Sequence, residues 1–329
     1  EARNYINNKR ARILEIGPLN RSLLERSEYQ NYFFCDIRST DEIKKFYKGN
    51  NYLKKTGINV DIETIINIDY VLKGSYKNTF SKIEKFDYVI VSHVLEHVPN
   101  IIDFFIDIQN VLKTGGKLVI IYPDKRFSFD YFRSDSRFVD AYKIFNNSNE
   151  GRQTQELDFK INVVPENNST IYWDYDQKVE NYLIDEINQE DLETLNEDIH
   201  YWPFSDYSFI KFLSDCNRFS LFNSFIERYI PTQFSGQEFL VILSFGGKTA
   251  SEDYIKYLIE SKEYYFNNFL HLADLKMQNK NKDELIKLLS KNIGELGNKS
   301  HGNIEKPKYF INIKSIVKII KNKFTRKRK

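Results

Sequence analysis

Residues 12–21 read RILEIGPLNR. The apolar run 12–16 has the length and composition of a buried strand, and Gly17-Pro18 stops it abruptly. Four similar runs follow. Residues 32–35 are closed by Asp36, and residues 65–68 by Asp69. Residues 87–92 (DYVIVS) form a fourth run, and residues 117–122 (KLVIIY), closed by Pro123, a fifth. Between the last two, Ile102, Phe105, Ile106, Ile108 and Leu112 fall near helical spacing, and Thr114-Gly115-Gly116 ends that helix. Apolar strands joined by helices predict an α/β chain with a parallel sheet covered on both faces. Two late strands, 220–229 and 238–244, are separated by Pro231 and Gly236, which predicts an antiparallel ending to the sheet.

The remaining sequence frames this region. The chain has 329 residues, 41% hydrophobic and 29% charged, enough for a core and too apolar for a disordered chain. It begins at Glu1, so its native start is expected to have been removed. The formal charge of +2 hides an asymmetry. Ten Lys or Arg and no acid follow Glu305, so residues 1–305 carry 38 bases against 46 acids. An acidic body argues against nucleic acid as a partner, because phosphate binding needs clustered cations. Cys35 and Cys216 lie far apart, no CxxC pattern occurs, and no metal-ligand set is legible, so neither a disulfide scaffold nor a metal site is expected. A reducing, cytoplasmic compartment fits two isolated cysteines best. No apolar stretch approaches the roughly 20 residues of a membrane-spanning helix.

The domain expected from these signals covers residues 1–249. Within it, residues 127–215 break the strand–helix rhythm. Residues 150–200 hold 14 acids and three bases, with aromatic pairs at Tyr172-Trp173 and Tyr201-Trp202. This stretch reads as an insertion forming an acceptor lid over the sheet edge; a solvated acidic loop is the plain alternative. A helical extension is expected over 250–300, and a basic amphipathic tail over 301–329. In the tail Phe310, Ile313, Val317, Ile320 and Phe324 share one helical face, Lys314, Lys318 and Lys321 another, and Arg326-Lys327-Arg328-Lys329 end it. Such a helix suits an anionic membrane surface or a membrane-bound partner; a partner helix and a disordered basic end are the alternatives.

The turn after the first strand lies where ligands of open α/β sheets bind. A nicotinamide or flavin dinucleotide site needs a second glycine for close approach to a pyrophosphate, and Leu19 stands there. S-adenosylmethionine (SAM) has an adenosine, a sulfonium and an amino-acid end but no pyrophosphate, which relaxes that demand. Asp36 follows a strand about 20 residues after Gly17, where a carboxylate accepts hydrogen bonds from ribose hydroxyls.

RILEIGP, the Asp closing strand two, FDYVIVSHVLEHVPN and LKTGGKLVIIYPD come in that order. Together they resemble the class I SAM-dependent methyltransferases over about residues 9–126, with 218–246 as the last two strands. More narrowly, ILEIGPLNR with CDIRST and YPDKRF looks like methyltransferases of bacterial surface-polysaccharide pathways. The resemblance implies a Rossmann-like, seven-stranded, mostly parallel sheet, with SAM as cofactor. It implies that Glu15, Gly17 and Pro18 form the first SAM loop, that Asp36 holds the ribose, and that Ile37 lies beside the adenine. Asp69 takes the place of the group meeting the adenine amine, and Ser92 and His93 flank the methionine portion. The usual glycine-rich loop is reduced to one glycine, and Asn20, tolerant of left-handed backbone, is expected to compensate.

His93 and His200 are the candidate catalytic bases, since histidine takes a hydroxyl proton near neutral pH. Plain hydrogen bonding is an equal alternative for each, and a structural role is expected for His97. In the resembled families the His200-Tyr201-Trp202 region forms part of the acceptor pocket. Asp124-Lys125-Arg126 follows strand five at the same edge, where two cations suit a phosphate or carboxylate on the acceptor; a surface turn is the alternative. The expected activity is O-methylation of a sugar hydroxyl or glycan phosphate, the acceptor being a glycan or sugar nucleotide. The alternatives are a small-molecule N- or O-methyltransferase, and a weakly catalytic scaffold that recruits glycan-assembly enzymes to the membrane.

Overall fold

The computed structural model describes residues 2–49, 60–146, 149–163, 199–233, 236–246, 254 and 256–263. The chain divides after Tyr264 into two units, and all these residues belong to the first. The helices expected beyond 264 and the basic tail lie outside the described residues, as do residues 164–198 of the expected lid.

Seven strands form one sheet: β1 (Arg12–Ile16), β2 (Asn31–Asp36), β3 (Tyr70–Val71), β4 (Phe86–Ser92), β5 (Leu112–Pro123), β6 (Ser224–Ile230) and β7 (Glu238–Phe245). Their order is β3-β2-β1-β4-β5-β7-β6. The first five are parallel, and β7 runs antiparallel to both β5 and β6. The register of β6 on β7 shifts between Ile226 and Arg228, leaving Glu227 in a bulge. Among the described residues the helices include α1 (Ala2–Tyr5), α2 (Thr40–Gly49), α3 (Tyr76–Thr79), α4 (Ile101–Val111), α5 (Phe138–Phe145), α6 (Asn149–Asn162) and α7 (Asp206–Arg218).

Alternation along the central strands feeds two cores. Leu14, Val89 and Leu118 face a cluster that includes Ile101, Phe105 and Ile108 of α4 and Phe209 and Phe212 of α7. Ile13, Ile90 and Val119 face the opposite cluster, closed by Ala2 and Ile6. Asn100 caps α4 by accepting from the Asp103 amide at 3.2 Å, and Ser205 with Ser208 forms a capping box on α7.

The third strand differs from the run expected at 65–68. Pairing occurs at Tyr70–Val71, opposite Cys35 and Asp36, so Asp69 precedes the strand instead of closing it. Part of the expected lid is also core: α7 is the crossover helix leading into β6, and its Phe209, Ile210, Phe212 and Leu213 are buried. The first unit extends beyond 249. Residues 256–263 are helical, and the buried Tyr254 hydroxyl accepts from Asn217 Nδ2 at 3.0 Å.

Candidate active site

The strand order reverses between β1 and β4, so the chain leaves their carboxyl ends in opposite directions and a crevice opens there. Gly17 turns the chain after β1 with φ +65°. A Cβ at this position would stand 2.8 Å from Val94 Cγ2, so backbone conformation and packing both require glycine. Leu19, at φ +47°, takes the second left-handed position that Asn20 was expected to fill. Pro18 is buried, and its carbonyl accepts from the Arg21 amide at 2.9 Å.

Glu15 is buried beneath this turn. Its carboxylate oxygens accept from the Leu23 amide at 3.0 and 3.1 Å, and the Tyr32 hydroxyl donates to Oε2. Burial pushes its pKa up to about 8, against the Leu23 hydrogen bond. Glu15 therefore shapes the loop from beneath.

Asp36 ends β2 half-buried, and Oδ1 accepts from the Arg38 amide at 3.0 Å. Burial raises its pKa above the usual carboxylate range, opposed by the Arg38 amide. Beside it Ile37 is 61% exposed, a large apolar side chain left open at the ligand edge. A carboxylate for a ribose diol next to an uncovered apolar surface fits the adenosine of SAM. Asp69 does not join them. Its carboxylate accepts from the Phe34 amide in mid-β2 and from Arg26, both at 2.8 Å, because the strand begins after it. Leu72 and Lys73 follow β3 at the ligand edge instead.

Ser92 ends β4, half-buried, and His93 follows with φ +53°. Sparsely populated backbone at a non-glycine residue is a feature of functional sites. The His93 amide donates to Ile121 O at 3.1 Å, and Nε2–H donates to Glu238 Oε2 at 2.9 Å. Burial lowers the His93 pKa, but the Glu238 hydrogen bond and the Glu96 charge outweigh it and raise the value. A cavity of about 370 Å³ lies beside Glu238, lined in part by Arg3, Gln233, Leu23, Ile121 and Leu240.

His200 is placed elsewhere. It is buried, with Nδ1–H donating to Asp130 Oδ2 at 2.5 Å and its ring 4.6 Å from that of His97, so it does not open onto the crevice. Tyr201 and Trp202 are buried packing residues. The Tyr201 hydroxyl meets Arg152 and Glu156, and Trp202 Nε1 donates to Val98 O at 2.6 Å. Asp124, Lys125 and Arg126 do not present free cations. Arg126 is bonded to Asp124 and to Asp206, Thr232 also donates to Asp124, and Lys125 Nζ reaches Tyr131 O at 3.3 Å. Burial lowers the Lys125 pKa.

One group was missed in the sequence: Glu96, His97 and His200 bring a carboxylate oxygen and two imidazole nitrogens within 4.8 Å of one another. The Glu96-His97 adjacency was its only visible trace.

This sheet order, with a carboxylate after β2 and no glycine pair for a pyrophosphate, fits a SAM-dependent methyltransferase. Residues 2–201 match the family described as a methyltransferase domain, and the chain belongs to it. Its cofactor is SAM, with Asp36, Ile37 and the Gly17 turn as the residues suited to hold it. No curated protein matches the sequence. Among solved structures, it is similar to the CurJ carbon methyltransferase at 14% identity over 74% of this chain and 51% of that one, with a TM-score of 0.34. The chain thus spans about half the length of that protein. A SAM-dependent methyltransferase from Methanosarcina mazei gives 13% identity over 74% and 96% of the two chains, TM-score 0.37. One from Clostridium acetobutylicum gives 11% over 71% and 84%, TM-score 0.35. The family assignment rests on the match over residues 2–201.

Proposed function

We propose that this methyltransferase O-methylates a sugar hydroxyl, on a glycan or sugar nucleotide, seated in the cavity beside Glu238. The observation that carries this reading is His93: an accessible imidazole at the end of β4, held by Glu238 at the edge that also carries Gly17 and Asp36. SAM supplies a methyl group on a positively charged sulfur. Glu238 holds Nε2–H, which leaves the Nδ1 lone pair to take the proton of an acceptor hydroxyl. The chain's other task is alignment of acceptor oxygen and methyl carbon in a dry site. Arg3, Gln233 and Glu238 offer polar contacts within an otherwise apolar cavity, as a ring of hydroxyls and C–H faces requires. A hydroxyl is favoured over a phosphate because Arg126 is already paired with Asp124 and Asp206. The resemblance to surface-polysaccharide enzymes points to the same acceptor class, and residues 310–329 would bring the chain to a membrane surface where such glycans are built.

The test is incubation with methyl-labelled SAM and candidate sugar nucleotides or glycan fragments, followed by identification of the labelled atom. Label on a sugar oxygen is expected, with His93→Ala lowering kcat by roughly 10²–10⁴-fold at little change in KM for SAM. Label on nitrogen or carbon would overturn the assignment.

A further inference from the structure

The cavity beside Glu238 lies at the carboxyl edge of the sheet. Ile121 near the end of β5, Ile230 at the end of β6, and Phe239 and Leu240 near the start of β7 form one side of it; Leu23 and, from α1, Arg3 form the other. The sheet order puts β5, β7 and β6 on the far side of β4 from β1 and β2, which carry Gly17 and Asp36. The cavity therefore opens over the half of the edge that the cofactor's adenosine does not use.

Although α1 is short, it is pinned. Ala2 and Ile6 are buried in the core on this face, and the Ile6 carbonyl accepts from the Tyr29 hydroxyl at 2.5 Å. The Tyr5 hydroxyl donates to Glu227 and accepts from Lys117 Nζ at 3.1 Å. Arg3 thus stands on a fixed backbone, exposed at the cavity wall.

The charges around Arg3 are engaged elsewhere. It is the one base among the described residues of the lining, and no described acid forms an ion pair with it. Glu238, the one acid of that lining, is held by His93 Nε2 at 2.9 Å. Glu15 feels the Arg3 charge, but it is buried, with its oxygens taken by the Leu23 amide and the Tyr32 hydroxyl, and burial pushes its pKa up to about 8. At neutral pH it is therefore mostly protonated and supplies no full counter-charge. The Lys125-Arg126 pair, expected from the sequence to meet an anion on the acceptor, is engaged with Asp124, Asp206 and the Tyr131 carbonyl. At this cavity that task falls to the Arg3 guanidinium.

We propose that Arg3 selects an acceptor carrying an oxyanion, a carboxylate or a phosphate, on the sugar whose hydroxyl is methylated. A guanidinium fork matches two oxygens of either group. Leu23, Ile121, Ile230 and Leu240 suit the C–H face of a sugar ring. The volume of about 370 Å³ is near the small end of ligand sites, roughly 300–1,000 Å³, and suits one sugar residue with its charge. This inference rests on the sugar-hydroxyl reading: the hydroxyl oxygen remains the atom that reacts, and the anion is the handle that orients the ring.

The experiment measures binding to the full chain saturated with S-adenosylhomocysteine, the demethylated cofactor, which prevents turnover. D-glucuronate, glucose 1-phosphate and D-glucose are titrated in by calorimetry. At least one charged sugar should bind roughly 10–100-fold more tightly than glucose, the range of a charge-assisted hydrogen bond, and which one does so tells carboxylate from phosphate. Arg3→Gln should abolish that preference and Arg3→Lys retain part of it, with S-adenosylhomocysteine affinity unchanged in both. Circular dichroism confirms that each variant is folded. Charged sugars that bind the wild type no better than glucose, or a preference that survives Arg3→Gln, overturn the proposal. So does a loss of S-adenosylhomocysteine affinity in folded Arg3→Gln, which would assign the guanidinium to the cofactor's own carboxylate. A methyl label found on nitrogen or carbon, with the preference for charged sugars intact, removes the O-methylation reading and keeps the anion seat.

Discussion

Burial holds the Glu15 carboxyl near pKa 8, so between about pH 4.5 and 8 the folded chain keeps a proton there that the unfolded chain has released. The folded state binds more protons in this window, so stability is greatest below it and falls as pH rises towards 8. A shift of this size corresponds to on the order of 3–5 kcal/mol. Glu15→Gln is neutral at every pH and keeps an acceptor for the Leu23 amide. Urea midpoints at pH 5 and 8 should therefore drop more for wild type than for the variant. Equal drops would show that Glu15 ionises normally in the fold.

The turn 95–97 and the segment 199–202 depend on each other as elements. Trp202 Nε1 is the donor to Val98 O, and the Trp202 ring is fully buried. Trp202→Phe keeps an aromatic ring but strands that carbonyl, at a cost of roughly 1–3 kcal/mol. The melting temperature should fall by about 2–10 °C, and an unchanged value would show that the two elements do not need this bond. The same elements show where sequence reading succeeds and where it stops. β1, β4 and β5 were legible because strands buried on both faces are written as unbroken apolar runs. β3 was not, because two half-buried residues, Tyr70 and Val71, leave no pattern, and Asp69 was misplaced with it. The positions of Gly17 and Asp36 at the ligand edge were legible because each marks the carboxyl end of an apolar strand. Glu96 with His200 was not, since backbone bonds between distant segments create that proximity and no spacing encodes it. Tyr201 and Trp202 look the same in sequence whether they line a pocket or fill a core.

For the molecule as a whole, the body up to Glu305 is acidic and the end beyond it is basic. Among the described residues no helix is long and apolar enough to cross a membrane. If residues 310–329 lie on an anionic surface, full-length protein should float with vesicles containing phosphatidylserine, and replacement of Arg326, Lys327, Arg328 and Lys329 by glutamate should reduce its recovery several-fold. Equal recovery of the two forms would remove the membrane from this account. The bulge in β6 bears on the solution behaviour of the same body. An open sheet offers unpaired amides along both outer strands, an invitation to stack strand on strand into aggregates. Here one margin is a strand of two residues, and the other is kinked at Glu227, whose charge is turned to Lys117 and Tyr5. Neither border is a good template for a neighbouring copy, and among the described residues the sheet ends at seven strands.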